Sequence, residues 1–225
     1  MDAPGMFLWD WNGTLVNDVA LCSQLLNSQL QRHGHAPLGG VEEYRRVFRF
    51  PIEEYYKDAG FDFARCSYRQ LAAEYMQLYP ARLLECPLQP HARQVLAALA
   101  ARGARQVVLS ASEQAMLDEQ LAHFGLMGYF EEVLGQSDFY GHSKVQRGLA
   151  WLAASGLEKE RAVMVGDTDH DFEVAAALGI RCVLFAGGHQ PRAKLAATGA
   201  PVIDDLRQLL APVSYTHLRA HETLR

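Results

Sequence analysis

The sequence predicts an α/β fold, a doubly wound, Rossmann-like parallel sheet core with a small all-α module inserted after its first strand. Three observations predict it. Short, wholly apolar runs recur along the chain, helical patterns separate them, and about 70 residues near the start (16 to 85) carry helical patterns alone. A strand buried on both faces needs an uninterrupted apolar run, whereas a strand wetted on one face alternates.

The first run, Met6-Phe7-Leu8-Trp9, ends at Asp10 and a turn signal, Asn12-Gly13-Thr14. Residues 16–85 follow, with helical segments at Val16–Gln31, Val41–Val47, Ile52–Lys57 and Tyr68–Leu84. Breakers lie between them at His33-Gly34, Pro37, Gly39-Gly40, Pro51 and Gly60. From residue 86 onward the rhythm changes to alternation. Apolar runs at Gln106–Leu109, Arg161–Val165 and Arg181–Phe185, with a weaker one at Pro201–Ile203, are interleaved with helical patterns at Ala92–Ala101, Glu113–Phe124, Lys144–Ala154 and Asp171–Leu178. Gly103, Gly125 and Gly179 follow three of these helices, where a helix end favours a residue with positive φ. Strand, helix, strand in regular order is the signature of a doubly wound core. The expected organisation is therefore a core from residues 1–15 and 86–212 with residues 16–85 inserted into it.

Ligands of an open parallel sheet bind outside the carboxyl ends of its strands, so the residues just past each run are the functional candidates. They are Asp10-Trp11-Asn12-Gly13-Thr14 after the first run, Ser110-Ala111-Ser112 after the second, and Gly166-Asp167-Thr168-Asp169-His170-Asp171 after Arg161–Val165. Lys144 opens the helix before this last run. A carboxylate at a strand end can attack phosphorus to form an acyl phosphate. The anionic oxygens of the transferring group call for Mg²⁺ and a lysine, and Mg²⁺ takes oxygen ligands of the kind Asp10 and Asp167 offer. Ser110 and the amides near Gly13-Thr14 are placed to hydrogen-bond a phosphate.

DWNGTL, LSAS, Ser143-Lys144 and GDTDHD, in this order and after strands, resemble the four motifs of the haloacid dehalogenase superfamily, and a helical insert after the first motif resembles its small cap domain. The resemblance runs from residue 5 to about 210 and is strongest to the phosphoglycolate phosphatase-like branch. It implies an enzyme, a Mg²⁺-dependent phosphatase acting on a small phosphorylated metabolite through an aspartyl-phosphate. It makes Asp10 the nucleophile and a metal ligand, the Asn12 backbone carbonyl and Asp167 further ligands, Thr14, Ser110 and Ala111 with Lys144 the phosphate site, and Asp171 a supporting acid that orients Lys144 or a metal-bound water.

One position departs from the superfamily pattern, which has Asp two residues after the nucleophile where this chain has Asn12. A carboxamide can hydrogen-bond a water but is no general acid or base near neutral pH, and the loss of one is expected to cost about 10²–10⁴-fold in rate. Substrates with good leaving groups, such as acyl phosphates, lose least, and Asp169 or His170 is a candidate substitute for the missing acid. Asn12 keeps two alternatives open. One is another hydrolase of the same fold, of the phosphonoacetaldehyde type, which needs a Schiff-base lysine in the cap where Lys57 is the only one, or of the dehalogenase type. The other is a weakly catalytic phosphate-binding regulator. In the cap, Arg46 or Arg49 is a candidate partner for a substrate carboxylate. Tyr44, Phe48, Tyr55, Tyr56 and Phe61 are expected to form the cap's own core, and His33, His35, His123 and His189 to be surface or packing residues.

Composition narrows the partners. The chain has 225 residues, 49% of them hydrophobic, and a formal charge of −5 with no basic run, so neither nucleic acid nor an anionic membrane is an expected partner. A monomer or homodimer binding a small phosphorylated substrate is expected. No apolar stretch approaches 18 residues, the N-terminus lacks a basic targeting region, and the four cysteines are scattered, which together predict a cytoplasmic location with reduced thiols. Residues 213–225 carry no apolar period and resemble translated sequencing-adapter read-through, so they are expected to be a non-native tail.

Overall fold

The computed structural model describes residues 5–138, 140, 144–156 and 158–211. Residues 213–225, expected to be non-native, and Ser143 of the third motif lie outside them. Six strands, β1 (Met6–Trp9), β2 (Arg105–Glu113), β3 (Glu132–Gln136), β4 (Ala162–Gly166), β5 (Arg181–Phe185) and β6 (Val202–Ile203), form one parallel sheet in the order β3-β2-β1-β4-β5-β6. The chain winds outward from β1 through β2 to β3, then returns to the far side of β1 for β4. The crevice at β1 and β4 is thus the topological switch point where ligands of such sheets bind.

The apolar runs divide between two cores by simple alternation. In β1, Phe7 and Trp9 enter one buried cluster and Met6 and Leu8 the other. In β4, Val163 and Val165 enter the first and Ala162 and Met164 the second. Both faces being covered explains why these strands carry no polar residue at every second position. β3, which the apolar runs do not reveal, is an edge strand with Glu132 exposed and Gly135 and Gln136 near its end.

Residues 16–85, after β1, hold five helices among the described residues, α1 (Val19–Arg32), α2 (Val41–Val47), α3 (Ile52–Asp58), α4 (Tyr68–Met76) and α5 (Tyr79–Leu83). The expected single helix over Tyr68–Leu84 is two helices, with Pro80 in the first turn of the second. Proline has no N–H to donate and its ring clashes with the preceding turn, so a helix restarts there more readily than it continues. The first apolar cluster runs without a break from Trp9 and Val108 on the sheet into Tyr44, Tyr55 and Leu71 of the inserted helices.

The remaining helices are α6 (Ala92–Ala101), α7 (Gln114–His123), α8 (Val145–Ser155), α9 (Asp169–Leu178) and α10 (Arg192–Ala196). Thr168 and Asp171 form a reciprocal capping box at the start of α9, and Gly179 closes it in the left-handed conformation. No helix among the described residues is long and apolar enough to cross a membrane.

Candidate active site

Asp10 sits one residue past β1, with its N–H donated to Val165 O of β4 at 2.9 Å, so the switch point itself holds its backbone. Lys144, immediately before α8, is buried and ion-paired to Asp10 Oδ1, and its Nζ lies 2.7 Å from Asp171 Oδ1. The other Asp171 oxygen accepts the N–H groups of Asp167 (3.1 Å) and Thr168 (3.0 Å) and the Thr168 hydroxyl (2.7 Å). Asp171 is therefore saturated, and its place in the α9 capping box fixes the lysine it faces.

Asp167 lies just past β4 and is fully buried. Its Oδ1 accepts the Thr14 hydroxyl at 2.9 Å and its Oδ2 the His189 N–H at 2.6 Å. Thr14 also reaches Asp10 Oδ2 at 3.3 Å, so its hydroxyl ties the two carboxylates together. Thr14 has no exposed surface and does not line the cavity beside it, which differs from the phosphate-contacting position expected of it. Gly13 has φ +75°, and a Cβ there would overlap the Asp167 carboxylate, so the turn after β1 passes where only glycine fits.

A cavity of about 70 Å³ opens over this cluster, walled by Asp10, Ser110, Lys144, Asp167, Thr168 and Asp171. Ser110 and Ala111 line it as expected, although they lie inside β2, which extends to Glu113, at the point where its register with β3 shifts.

Burial pushes Asp10 up to about 8, with Lys144 drawing it back and Asp171 and Asp167 adding to the rise. Burial likewise pushes Asp167 up to about 6, opposed by His189. Burial disfavours the charge on Lys144 as well, but Asp10 and Asp171 outweigh it and hold the ammonium above its ordinary value. For Asp171 burial is again opposed, chiefly by Lys144, and its carboxyl stays below the usual range. Asp10, Asp167 and Asp171 bring one ligand oxygen each within 4.8 Å of one another, against a single facing lysine. An excess of negative charge on oxygen-only donors is the composition a Mg²⁺ site requires, and a divalent cation would relieve the rise in Asp10 and Asp167. The donor set fits the ion.

Asn12 is held on both sides of its amide. Nδ2 donates to Asp18 Oδ2 (3.0 Å) and to the Tyr79 hydroxyl (2.5 Å), and Oδ1 accepts from Ser112 Oγ (2.7 Å). Asp18 and His189 are functional neighbours that sequence reasoning missed. Asp18 accepts the Gly13 N–H at 2.9 Å and the Tyr79 hydroxyl at 2.7 Å, and lies 3.2 Å from His189 Nε2. Burial opposes the His189 charge, but Asp18 beside it keeps the imidazolium up to about 9, and the same pair holds Asp18 below its usual value against burial. His189 is thus a buried ion-pair member rather than a surface or packing residue. The strand-end rule contained a signal for it: β5 leads through Gly187-Gly188 to His189.

Other expectations shift. Asp169 is tied to Lys194 (3.1 Å) and Gln190 (2.7 Å). His170, by contrast, stays at the site: it stacks on Phe50, faces Glu173 through Nδ1 and lines the cavity over Asp10. Arg49 is taken up by Asp58 and Glu54, Lys57 by Glu54, and Arg46 is exposed. None of these three lines either cavity near the site. A Schiff base at Lys57 is therefore not served by this arrangement. Tyr44, Phe48, Tyr55, Tyr56 and Phe61 pack not in a core of the cap's own but in the cluster shared with the sheet, and the first four also wall a second cavity of about 170 Å³ that shares Asn12, Phe48, Phe50, Ala111 and His189 with the first.

A family model described as haloacid dehalogenase-like hydrolase matches residues 7–185. A phosphoglycolate phosphatase of Aquifex aeolicus is 27% identical over 194 residues, covering 82% of this chain and 85% of that protein. The structure of protein tyrosine kinase A of Mycobacterium tuberculosis superposes with a TM-score of 0.76 at 27% identity, over 94% of this chain and 100% of that one. A haloacid dehalogenase-like hydrolase of Streptococcus pneumoniae has the same fold, with a TM-score of 0.79 at 19% identity over 94% and 99%.

Proposed function

We propose, from the premise that the chain belongs to the haloacid dehalogenase-like hydrolase family, that it is a Mg²⁺-dependent phosphatase working through Asp10. The observation that carries this reading is Asp10 at the carboxyl end of the central strand, ion-paired to a buried Lys144 and facing Asp167 across the Thr14 hydroxyl. Asp10, Asp167 and the Asn12 backbone carbonyl would hold Mg²⁺, whose chemistry is to neutralise phosphoryl oxygens and polarise phosphorus. A carboxylate oxygen of Asp10 attacks phosphorus, the ester P–O bond breaks with its electron pair on the leaving oxygen, and an aspartyl-phosphate remains. Water then cleaves the acyl phosphate, releasing inorganic phosphate and restoring the carboxylate. Lys144 balances the charge on Asp10 and the phosphoryl group, Asp171 positions Lys144, and Ser110 with the amide of Ala111 offers donors to the phosphate. Thr14 keeps Asp10 and Asp167 at a fixed separation.

The relatives named phosphoglycolate phosphatase support a small phosphorylated metabolite as the substrate, with phosphoglycolate a candidate to be tested. A location in the cytoplasm and a monomeric or dimeric state accompany this reading. The test is phosphate release from a panel of phosphate monoesters and acetyl phosphate, with and without Mg²⁺. Asp10→Asn is expected to lose at least ~10³-fold in kcat. Borohydride trapping should place the phosphoryl group on Asp10. Metal-independent release, or release that survives Asp10→Asn, removes the proposal.

A further inference from the structure

The larger cavity adjoins the polar one through Asn12, Phe48, Phe50, Ala111 and His189, so a phosphate ester bound over Asp10 has its leaving group directed into it. Aromatic side chains make up much of its wall. Tyr44, Phe48, Tyr55, Tyr56, Tyr75 and Tyr79 surround a space of about 170 Å³. Apolar cavities of roughly 150 Å³ hold a single benzene ring. Several of the tyrosine hydroxyls are turned to protein partners: Tyr44 to His189, Tyr56 to Gln29, Tyr75 to Cys22 and Tyr79 to Asp18.

The charge of the chamber points the same way. Among the described residues that line it there is no lysine or arginine, and His189, the one group able to carry positive charge, is paired with Asp18. Asp18 and Glu113 are its carboxylates. A substrate carboxylate placed here would lose its water and meet two like charges, whereas an uncharged ring meets faces and edges of other rings.

Resting on the phosphatase reading of Asp10, we infer that the substrate is a phosphate monoester of a small, uncharged, single-ring phenol, free in solution. Asn12 supports this independently of the chamber. Its amide is engaged by Asp18, Tyr79 and Ser112, so the leaving oxygen departs without a carboxylic acid at this position to protonate it. Phenols ionise near pH 10, whereas water holds its proton to about 15.7, and simple alcohols resemble water in this respect. The aryl P–O bond breaks with its electron pair on the phenol oxygen, which leaves as phenoxide and takes its proton from water. The phosphoryl group stays on Asp10 until a second water releases it.

Two measurements on the full chain with Mg²⁺ test the inference. Calorimetry compares benzylphosphonate, a non-hydrolysable aryl probe, with phosphonoacetate, a small carboxylate-bearing phosphonate. Aromatic contacts of about 0.5–1.5 kcal/mol predict that benzylphosphonate binds ~two- to twelvefold tighter. Kinetics compares kcat/KM for phenyl phosphate, a phosphotyrosyl peptide, phosphoglycolate and acetyl phosphate, with phenyl phosphate highest among the three esters. Ile52→Arg places a cation in the chamber wall and is expected to narrow or reverse the phosphonate ratio; the wild-type ratio decides if this variant fails to fold. Equal or tighter binding of phosphonoacetate by the wild type overturns the inference, as does preference for the phosphopeptide over phenyl phosphate. Acetyl phosphate separates the two readings. Its Asp10-dependent turnover with phosphoglycolate preferred sinks the aryl substrate alone, and absence of all turnover sinks the phosphatase while the calorimetric ratio still decides what the chamber prefers.

Discussion

Asn12 is set by three hydrogen bonds, and each limits what a substitution there can do. Replacing its Nδ2 by a carboxylate oxygen would turn a donor to Asp18 into a second negative acceptor about 3.0 Å away. Asp18 is buried and already satisfied by Tyr79, Gly13 and His189, so the new charge has no counter-ion of its own. Asn12→Asp is therefore expected to lower unfolding free energy at pH 7 by ~1–3 kcal/mol, the cost of a buried hydrogen bond exchanged for a clash of acceptors. The same change restores a proton donor beside Asp10 and should raise kcat for alkyl phosphates by ~10²-fold or more while changing aryl phosphates least. Urea unfolding and paired kinetics on one alkyl and one aryl ester check both. A variant with unchanged stability would mean that the amide is not held as these distances indicate.

At the scale of elements, the β4–α9 turn does two jobs with one carboxylate. Asp171 caps the helix and orients Lys144, and this is possible because Gly166 leaves room: a Cβ there would overlap the Asp171 carboxyl. Gly166→Ala should cost about 1–3 kcal/mol through forced displacement, and kcat should fall with it because Lys144 loses its second anchor. Stability lost with kcat intact would detach the cap from the lysine. A second junction, α1 to α4, is electrostatic. Glu74 on α4 faces His33 at 3.0 Å, Arg32 at 3.7 Å and Gln70 at 3.3 Å. Burial raises its pKa but is outweighed by these partners, which leave it below its ordinary value. A depressed carboxyl contributes stability that is present above its unfolded pKa and lost as pH falls through the folded one. Glu74→Gln should thus cost ~0.5 kcal/mol at pH 7 and progressively less as pH falls below the ordinary glutamate range, read by urea unfolding across that window.

What was legible in the sequence follows from the same local physics. Strands covered on both faces, β1, β4 and β5, are uninterrupted apolar runs, whereas β3 lies at the sheet's edge and carries Glu132 and Gln136 among its five residues, so its pattern fades. Asp10, Ser110, Asp167 and Asp171 stand out as candidates in the sequence because topology gathers strand ends, and Lys144 because it opens the helix before β4. The Asp18–His189 pair does not, because 171 residues separate partners that meet only when the inserted helices pack against the β5 end of the sheet. The direction of Arg49 and Lys57, toward acidic neighbours on their own segment instead of the cavity, is likewise decided by packing that periodicity does not encode.

For the whole molecule, the decisive feature is that the inserted helices do not own a separate core. Tyr44, Tyr55 and Leu71 share one apolar cluster with Trp9, Val108 and Val165 of the sheet. Polar ties reinforce that seam. Arg45 donates to the carbonyls of Gly187 (3.1 Å) and Gly188 (2.9 Å), the Tyr44 hydroxyl meets His189 Nδ1 (2.7 Å), and Gln190 and Lys194 both donate to Phe48 O (3.2 Å each). Unfolding the insert alone would bare its share of this common cluster and break the polar ties across the seam, so neither part gains by unfolding first. The expectation is a single cooperative transition despite a length of 225 residues, above the range where two-state behaviour is the rule. Two probes report the parts separately: tryptophan emission comes only from Trp9, Trp11 and Trp151, outside the inserted helices, whereas far-UV circular dichroism includes the five inserted helices. Coincident urea midpoints from the two signals are expected. Arg45→Ala, which removes two carbonyl contacts across the seam, should shift both midpoints together by the equivalent of ~1–3 kcal/mol, and Arg45→Lys should not restore them because one ammonium cannot reproduce the paired donors. Loss of helical signal ahead of tryptophan emission would show instead that the insert melts on its own and that the shared cluster does not bind the two parts into one cooperative unit.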